Sequence, residues 1–389
     1  MTAASLRILF LAPQPFFEVR GTPLAVLAMV RALAQLGHRV DLLTYRQGEP
    51  IALDGVVHRR SLGLPVGRVH AGPSAAKLLL DVPFMAEAFW RMATGRYDLV
   101  HAVEEAAPLA APLARALGLP LVVDVDSSIP DQLHESGFAR RGPLPWAART
   151  LERYALRRSA AVITVCSSLT DAARARAPEA RIFQIEDPPL VDPAQPPPAE
   201  RVAALRRELG LDTSPVVLYS GNFEPYQGVE LLVEAAALVP EAQLVFMGGE
   251  PAEIDSMRAR ASNRCVFAGK RPPAELPAFL ALADVVASPR RSGANTPFKV
   301  YTYLASGKPL VATRIPTHTQ LLDDSTAFLV EPTAAGLAAG IRQALGDRAG
   351  AAARAARGSR MIEESYSPAR YVEKVRDAYA ALTERVARR

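Results

Sequence analysis

The chain repeats a strand–helix–strand pattern, first near its N-terminus and again past its middle. The first copy reads "LRILFLA", then "TPLAVLAMVRALAQLG" with apolar residues at helical spacing, then "HRVDLLTY". The second copy reads "SPVVLYSG", "VELLVEAAALVP" and "AQLVFMGG" in the same order. Strands that alternate with helices form parallel sheets whose two faces are covered by helices. The sequence therefore predicts an α/β protein with two Rossmann-like domains.

A proline-rich stretch between the two copies predicts the domain boundary. At 389 residues the chain is too long for one ordinary core. The stretch "EDPPLVDPAQPPPAE" is unsuited to a helix or a central strand, so we predict a linker over residues 186–200. The N-terminal domain then covers residues 1–185 and the C-terminal domain residues 201–365. Residues 366–389 should form a final helix that packs back across the domains.

Composition narrows the class of protein and of partner. A hydrophobic content of 49% and a charged content of 22% are typical of a globular protein. The balance of 45 − 40 = +5 suits an anionic small ligand, with peripheral contact to an acidic membrane as an alternative. Basic residues are scattered and aromatic residues are only 6%, which argues against nucleic acid as a partner. Since no run resembles a signal peptide or a bilayer span, we expect a cytoplasmic protein, either free or at the inner face of the membrane.

Several well-known chemical motifs are missing from the sequence. Neither copy of the pattern carries G-x-G-x-x-G, and no G-x-x-x-x-G-K-[ST] occurs, which argues against a nicotinamide enzyme and a P-loop ATPase. No cluster of histidine, cysteine and carboxylate residues has metal-ligand spacing, so we predict no metal site. Ser167 and Ser168 lack the glycines of a nucleophile elbow.

In doubly wound sheets, ligands bind beyond the carboxyl ends of the strands. That rule selects a set of loops that we expect to line one cleft between the domains: residues 13–22, 102–105, 124–128, 221–228, 248–251, 269–273 and 288–297.

A lysine stands in the first turn of a short predicted helix, in "NTPFKVYTYLASG". Thr296 can cap this helix, and Pro297 suits its first position. The unpaired N–H groups of a helix start carry positive partial charge, so Lys299 is unfavourable there by up to ~1 kcal/mol unless an anion lies nearby. A phosphate would make this end a binding site. The alternative is that Lys299 extends into solvent, and the residues alone do not separate the two.

Four blocks of the sequence have the order and spacing of a known family. They read "PQPFFEVRGTPLAVLAMVRALAQLGHRVDLLTY", "VVLYSGNFEPYQGVELLVEA", "FAGKRPPAELPAFLALADVVASP" and "YLASGKPLVAT". Together they resemble the retaining glycosyltransferases of family 4, which have the GT-B fold of two Rossmann-like domains facing a central cleft. The resemblance extends over nearly the whole chain.

The resemblance implies a metal-independent hexosyltransferase. Its donor would be a nucleoside-diphosphate sugar, a co-substrate rather than a cofactor, and its acceptor a saccharide or a lipid-linked precursor of a cell-envelope polysaccharide. Basic side chains and backbone N–H groups would stabilise the departing diphosphate. The resemblance and the helix-start argument together select the donor-binding candidates Gly21, Thr22, Asn222, Glu224, Gln227, Gly249, Arg271, Asn295, Thr296, Pro297, Lys299 and Thr302.

The sequence departs from the family at several functional positions. Asn222 and Gln227 stand where the family has an arginine and a lysine, and Ala294 and Thr302 where it has two glutamates. Either the protein is a divergent enzyme, in which Lys299 acts with Arg20, Arg290 or Arg291, or it is a GT-B homologue that binds a nucleotide sugar or a partner protein without catalysis. A GT-B sugar-nucleotide epimerase is a further alternative.

Candidates in the N-terminal domain lie on its loops. Phe16, Arg20 and Glu104 are expected on the acceptor side, although Phe16 could equally pack beneath its loop. Asp126 lies near the position of a family histidine. It either faces the reacting sugar and is, with Lys299, one of two catalytic candidates, or it caps the following turn. His101 lies inside a strand, so we predict a hydrogen-bonded core histidine.

Overall fold

The computed structural model describes residues 5–18, 21–64, 74–128 and 143–387, which form two compact units. The first unit comprises the chain up to Asp187 and again from Ala369 onwards, and the second comprises Pro188–Pro368. The chain thus returns to its first unit at the C-terminus.

In the described residues of the first unit, seven parallel strands form a central sheet in the order β3-β2-β1-β4-β5-β6-β7. The strands are β1 Arg7–Ala12, β2 Arg39–Thr44, β3 Val56–Arg60, β4 Leu99–Val103, β5 Leu121–Val125, β6 Ala161–Thr164 and β7 Ile182–Gln184. Helices cover both faces: α1 Gly21–Gln35, α2 Ala75–Thr94, α3 Ala106–Ala116, α4 Pro143–Arg158, α5 Ser167–Arg176 and the last helix of the chain, Pro368–Ala387.

Period-two alternation along the strands divides the core of the first unit into two layers. Leu9 and Leu11 of β1 belong to the layer that contains buried residues of α2, α3 and α4. Ile8 and Phe10 belong to the opposite layer, which contains buried residues of α1 and of the last helix. The strands of a parallel sheet are buried on both faces, and β4 and β5 are buried throughout.

The second unit repeats the plan with six described parallel strands in the order β10-β9-β8-β11-β12-β13. The strands are β8 Val216–Ser220, β9 Gln243–Met247, β10 Cys265–Gly269, β11 Val285–Ser288, β12 Leu310–Thr313 and β13 Phe328–Val330. The helices are α6 Ala199–Glu208, α7 Val229–Leu238, α8 Pro251–Arg258, α9 Leu276–Leu282, α10 Phe298–Ala305, α11 Pro316–Thr319, α12 Ala334–Gly346 and α13 Arg348–Met361.

Both sheets reverse their strand order at a central pair, β1 with β4 and β8 with β11. Ligands of doubly wound sheets bind at such a switch point, beyond the carboxyl ends of the strands. In the second unit the two loops concerned follow Ser220 and Ser288. The topology therefore selects two of the loops that the sequence singled out.

The last helix, α14 (Pro368–Ala387), packs on the first sheet through Tyr371, Val375, Tyr379 and Leu382. Its Lys374 forms an ion pair with Glu186 of the same unit at 2.5 Å. Among the helices that the structure describes, none combines the length and the apolar character needed to cross a membrane.

Candidate functional site

The loops after β8 and β9 are drawn together by glycines in conformations that other residues rarely adopt. Gly221 has φ +143°, and a Cβ there would lie 2.6 Å from the ammonium nitrogen of Lys299. Gly248 has φ +125°, and its Cβ would lie 1.9 Å from the carbonyl oxygen of Gly221. Glycine is required at both positions because a side chain would clash and the backbone would be strained.

The helix that carries Lys299 begins one residue later than predicted. Pro297 is the N-cap of α10, and it has no side chain able to cap the helix. Thr296, which the sequence selected as the cap, is buried just outside the helix. The prediction of a Thr296 cap is therefore wrong, while Lys299 does lie in the first turn. The N–H groups of that turn have no side-chain acceptor from the cap residue.

Lys299 turns back onto its own unit instead of extending into solvent. Its ammonium lies 3.9 Å from the centroid of the Tyr219 ring and donates a hydrogen bond of 3.0 Å to Oε1 of Gln227. In the part of the chain that the structure describes, no carboxylate forms an ion pair with it. Desolvation, followed by the nearby Arg290 guanidinium, lowers the pKa of Lys299 well below its ordinary value.

Arg290 adds a second buried cation beside this lysine. Its Nη2 donates to Oδ1 of Asn295 at 3.0 Å, and its guanidinium lies 5.2 Å from the centroid of the Tyr226 ring. His318, buried behind the loop, bonds to Ser288 at 2.9 Å, and burial lowers the pKa of His318 to about 4. His318 is therefore neutral, and Arg290 supplies a permanent positive charge beside Lys299.

Two predicted amides and a predicted carboxylate follow β8 in the loop that leads to α7, and one of them, Gln227, contacts Lys299. Gln227 is buried and accepts the lysine hydrogen bond, whereas Oδ1 of Asn222 is buried with no hydrogen-bond partner. Among the described residues, the Glu224 carboxylate makes no ion pair or hydrogen bond of its own. Asn295 is committed to Arg290. An unsatisfied buried amide oxygen is costly, and a ligand hydroxyl would satisfy it.

Other predicted donor residues are engaged elsewhere. Arg271 pairs with Glu208 at 2.6 Å and lies 3.8 Å from Glu275, so its charge is already neutralised. Thr302 is buried, and its hydroxyl accepts the N–H of Leu190 at 3.0 Å. Gly249, with φ +79°, packs against Phe223. These placements favour structural roles for the three residues.

Two tyrosines that the sequence did not single out support the loops. The Tyr219 hydroxyl donates to the carbonyl of Asn222 at 2.6 Å, and the Tyr303 hydroxyl accepts the N–H of Ser220 at 2.7 Å. Both side chains are buried. In the sequence, Tyr219 and Tyr303 look like core residues of a strand and a helix. No sequence pattern predicts the hydrogen bonds that their hydroxyl groups make to the loop.

At the first sheet, the candidates near the switch point differ in placement. Gly21 and Thr22 both belong to helix α1 (Gly21–Gln35). Phe16 is fully buried and packs against Phe17 and His58, which favours the packing role that the sequence left open. Arg20 lies outside the described residues.

Asp126 follows β5 and is buried in a group of carboxyls. Burial, then the neighbouring Asp124 and Asp187 carboxyls, raise the pKa of Asp126 well above its ordinary value. Burial and Asp124 likewise raise the pKa of Asp187 to about 8. A protonated Asp126 can donate a hydrogen bond to a hydroxyl, whereas acting as a base would require it to lose that proton first.

His101 is confirmed as a hydrogen-bonded core residue. Its Nε2 bonds to Oδ2 of Asp124 at 3.0 Å, and its Nδ1 bonds to the Tyr379 hydroxyl at 2.5 Å. Because a carboxylate only accepts, Nε2 carries the proton and Nδ1 accepts from Tyr379. The sequence did not indicate that a tyrosine of the last helix would complete this chain.

Glu104 directly follows β4 and has φ +48°, the only positive value at a described residue other than glycine. Its carboxylate accepts the Ser127 hydroxyl at 2.8 Å and lies 3.6 Å from Lys77 Nζ. Lys77 also pairs with Glu105 at 2.6 Å. The predicted acceptor-side carboxylate is thus held inside a polar network. Within the described residues, no group of three or more histidine, cysteine or acidic side chains is placed to hold a metal ion.

Comparison with known proteins gives matches in both units. Residues 20–186 match the model of the glycosyl transferase 4-like domain, and residues 214–347 match that of the glycosyl transferases group 1. Alpha-D-kanosaminyltransferase of Streptomyces kanamyceticus is 29% identical over 230 residues, or 57% of this chain and 59% of that protein. A GDP-mannose-dependent alpha-(1-6)-phosphatidylinositol monomannoside mannosyltransferase of Mycolicibacterium smegmatis is 32% identical over 282 residues, or 66% of this chain and 69% of that protein.

Solved structures show the same fold. Sucrose-phosphate synthase from Thermosynechococcus elongatus superposes with a TM-score of 0.78 at 21% identity, over 98% of this chain and 100% of that one. The Anabaena protein HepE in complex with UDP-glucose superposes with a TM-score of 0.75 at 18% identity, over 97% and 100%. The chain therefore belongs to the family 4 type of glycosyltransferases and has their GT-B fold.

Proposed function

We propose that this protein is a retaining glycosyltransferase that uses a nucleoside-diphosphate sugar as its donor. The observation that carries the proposal is Lys299, a half-buried cation in the first turn of α10 with no carboxylate partner among the described residues. A site that holds a desolvated lysine at a helix start without a side-chain cap is suited to a diphosphate. The structure of Anabaena HepE, which has the same fold, contains UDP-glucose, and this supports a nucleotide sugar as the class of ligand.

In the proposed reaction the bond between the anomeric carbon and the diphosphate oxygen breaks, and a bond to the acceptor oxygen forms on the same face. The proton of the acceptor hydroxyl passes to the departing phosphate oxygen, so no protein nucleophile is assigned. Lys299 stabilises the negative charge that grows on the diphosphate. A protonated Asp126 is suited to hold a hydroxyl group by donating its proton in a hydrogen bond. We propose hexosyl transfer without metal or cofactor.

The acceptor is proposed to be a saccharide or a lipid-linked saccharide. One relative is named as a kanosaminyltransferase, and another as a mannosyltransferase that acts on phosphatidylinositol monomannoside. The chain covers 59% of the first of these proteins and 69% of the second.

Donor binding can be tested with UDP, GDP and ADP and their sugar esters, by melting temperature and by calorimetry. A binding nucleotide should raise the melting temperature, and Lys299→Ala should weaken its affinity by at least about tenfold, as for loss of a charge-assisted hydrogen bond. Lys308→Ala is the matched control, because Lys308 is a second partly buried lysine whose ammonium donates to the Ala281 carbonyl. Equal effects of the two substitutions, or no nucleotide binding at all, would remove the basis of the donor site.

Turnover is a separate measurement. Release of the nucleoside diphosphate in the presence of EDTA and a panel of acceptors would establish metal-independent transfer, and the anomeric configuration of the product would report retention. Tight binding without turnover would favour a non-catalytic homologue. Conversion of the donor sugar with no acceptor present would indicate an epimerase.

A further inference from the structure

Helix α2 is apolar on the face that it turns to solvent as well as on the face that it buries. Its buried face includes Leu80 and Phe84. On the other side, Leu78, Val82 and Trp90 are exposed by 53%, 71% and 61%. A contiguous apolar face on the surface of a protein normally marks a site of contact with another protein or with lipid. The solvent face of α2 therefore lacks a partner in the described part of the chain.

Helices α3 and α4 continue this surface. Helix α3 packs between α2 and α4. It exposes Leu109, and α4 exposes Trp146 and Leu151. We call the solvent-facing side of these three helices the α2–α3–α4 surface. Eight of the fourteen large hydrophobic residues that are exposed in the described residues belong to it, and a ninth, Leu117, directly follows α3, so the apolar groups are concentrated rather than scattered.

The exposed charges on the same three helices have one sign. Every strongly exposed charged residue on them, as far as the structure describes them, is an arginine: Arg115, Arg149, Arg153, Arg157 and Arg158. Glu152 is buried and paired with Arg176, and Glu87 is partly buried and paired with Arg91. Trp146, Arg149 and Arg153 follow one another at helical spacing on one side of α4.

From these placements we infer that the α2–α3–α4 surface docks on an anionic lipid membrane. Apolar side chains, including two tryptophans, would enter the boundary between headgroups and acyl chains, and the arginines would meet anionic headgroups. A second copy of the chain is a poorer occupant, because a symmetric dimer through this surface would bring arginines against arginines. This inference goes beyond the proposed function and does not depend on catalysis.

The chain contains two tryptophans, Trp90 and Trp146, and both lie on this surface. Intrinsic fluorescence of the full chain is therefore a direct reporter. We expect vesicles of phosphatidylcholine with added phosphatidylglycerol to shift the emission to the blue, and brominated lipids to quench it. Pure phosphatidylcholine vesicles should have a much weaker effect. Because no nucleotide is present, the result is independent of the donor-site tests.

Two pairs of substitutions test the apolar and the basic parts while retaining both tryptophans. Val82→Ser/Phe89→Ser should lower vesicle affinity by more than about tenfold, since it removes apolar area from the contact. Its control is Val57→Ser/Leu238→Ser, at two exposed apolar residues that lie elsewhere. Arg149→Gln/Arg153→Gln should lower affinity by roughly fivefold per arginine. Its control is Arg357→Gln/Arg360→Gln, at exposed arginines of α13.

Three outcomes would overturn the inference. The first is unchanged tryptophan emission with both kinds of vesicle. The second is equal loss of vesicle binding in the test and control variants, which would indicate nonspecific attraction. The third is a blue shift that depends on protein concentration without lipid, together with a dimer mass, which would assign the surface to a second copy of the chain.

Discussion

The ammonium of Lys299 lies over the ring of Tyr219, 3.9 Å from its centroid. The ring face and the Gln227 oxygen are neutral acceptors, so they orient the cation without neutralising it. A family lysine position is occupied here by Gln227, and the cation comes instead from a helix in the other half of the unit. Under the proposed function, Lys299 would supply the positive charge that the family pattern places at Gln227.

Gly221→Ala should disrupt this arrangement. A Cβ at Gly221 would lie 2.6 Å from Lys299 Nζ, and the φ of +143° disfavours any side chain. We expect the affinity for the binding nucleotide to fall by at least about tenfold, because the lysine must move. The control is Gly307→Ala, where φ is +66° but no atom lies within 4 Å of the added Cβ. Calorimetry should show normal affinity for that variant, and equal weakening in both would contradict the role of Gly221.

Donor binding should take up a proton. Desolvation lowers the pKa of Lys299 in the free protein, and a bound diphosphate would raise it again. Between the two values, binding protonates the amine, so affinity should fall as the pH rises through that window. Calorimetry in buffers of different ionisation enthalpy measures the uptake, with a nucleotide sugar as ligand. Lys299→Met should abolish it. An affinity that is independent of pH from neutral to alkaline conditions would speak against a neutral or partly neutral Lys299.

Asp187 should make the first unit less stable as the pH rises. The pKa of Asp187 is about 8 in the folded protein against an ordinary value of 3.8, so between these values the folded state holds a proton that the unfolded state has lost. Stability then falls with rising pH by up to ~1.4 kcal/mol per pH unit. Asp187→Asn should remove this slope and stabilise the unit at pH 7–8 relative to the parent.

Denaturant unfolding followed by tryptophan emission measures this effect, since Trp90 and Trp146 both belong to the first unit. The matched control is Asp54→Asn, at an exposed aspartate of the same unit. A parent and an Asp187→Asn variant with parallel stability curves from about pH 5 to pH 8 would refute the assignment.

Tyr379→Phe should destabilise the first unit by about 1–3 kcal/mol, because it leaves the buried Nδ1 of His101 without its donor. Tyr371→Phe, on the same helix, removes a hydroxyl that has no hydrogen bond to any other described residue, and it should change stability by less than about 0.5 kcal/mol. The same fluorescence measurement compares the two. A loss of similar size in both would show that the hydrogen bond to His101 contributes little.

Local patterns carried the prediction of the fold. Apolar runs, helical spacing and the repeated order of elements predicted two parallel α/β domains, and both sheets have that form. The rule for ligand position then predicted the loops after β8 and β11. Boundaries were less secure: α1 includes Gly21, and α10 begins after Pro297 instead of after Thr296.

The roles of single side chains depended on contacts between distant parts of the sequence. Thr302 and Arg271 occupy positions that the family pattern assigned to the donor, yet one bonds to Leu190 and the other to Glu208. Tyr219 and Tyr303 look like core residues in the sequence, and only their hydrogen bonds to loop backbone identify them as supports of the site.

The sequence by itself determined the two sheets, the edge at which each can bind a ligand, and the presence of a lysine in the first turn of α10, because these follow from periodicity and connection order. Only the tertiary structure decided that Lys299 lies against Tyr219 instead of in solvent, that Asp126 is buried among other carboxyls, and that α2 exposes an apolar face. Burial and the neighbours that set a pKa come from elements far apart in the chain, so no local pattern contains them.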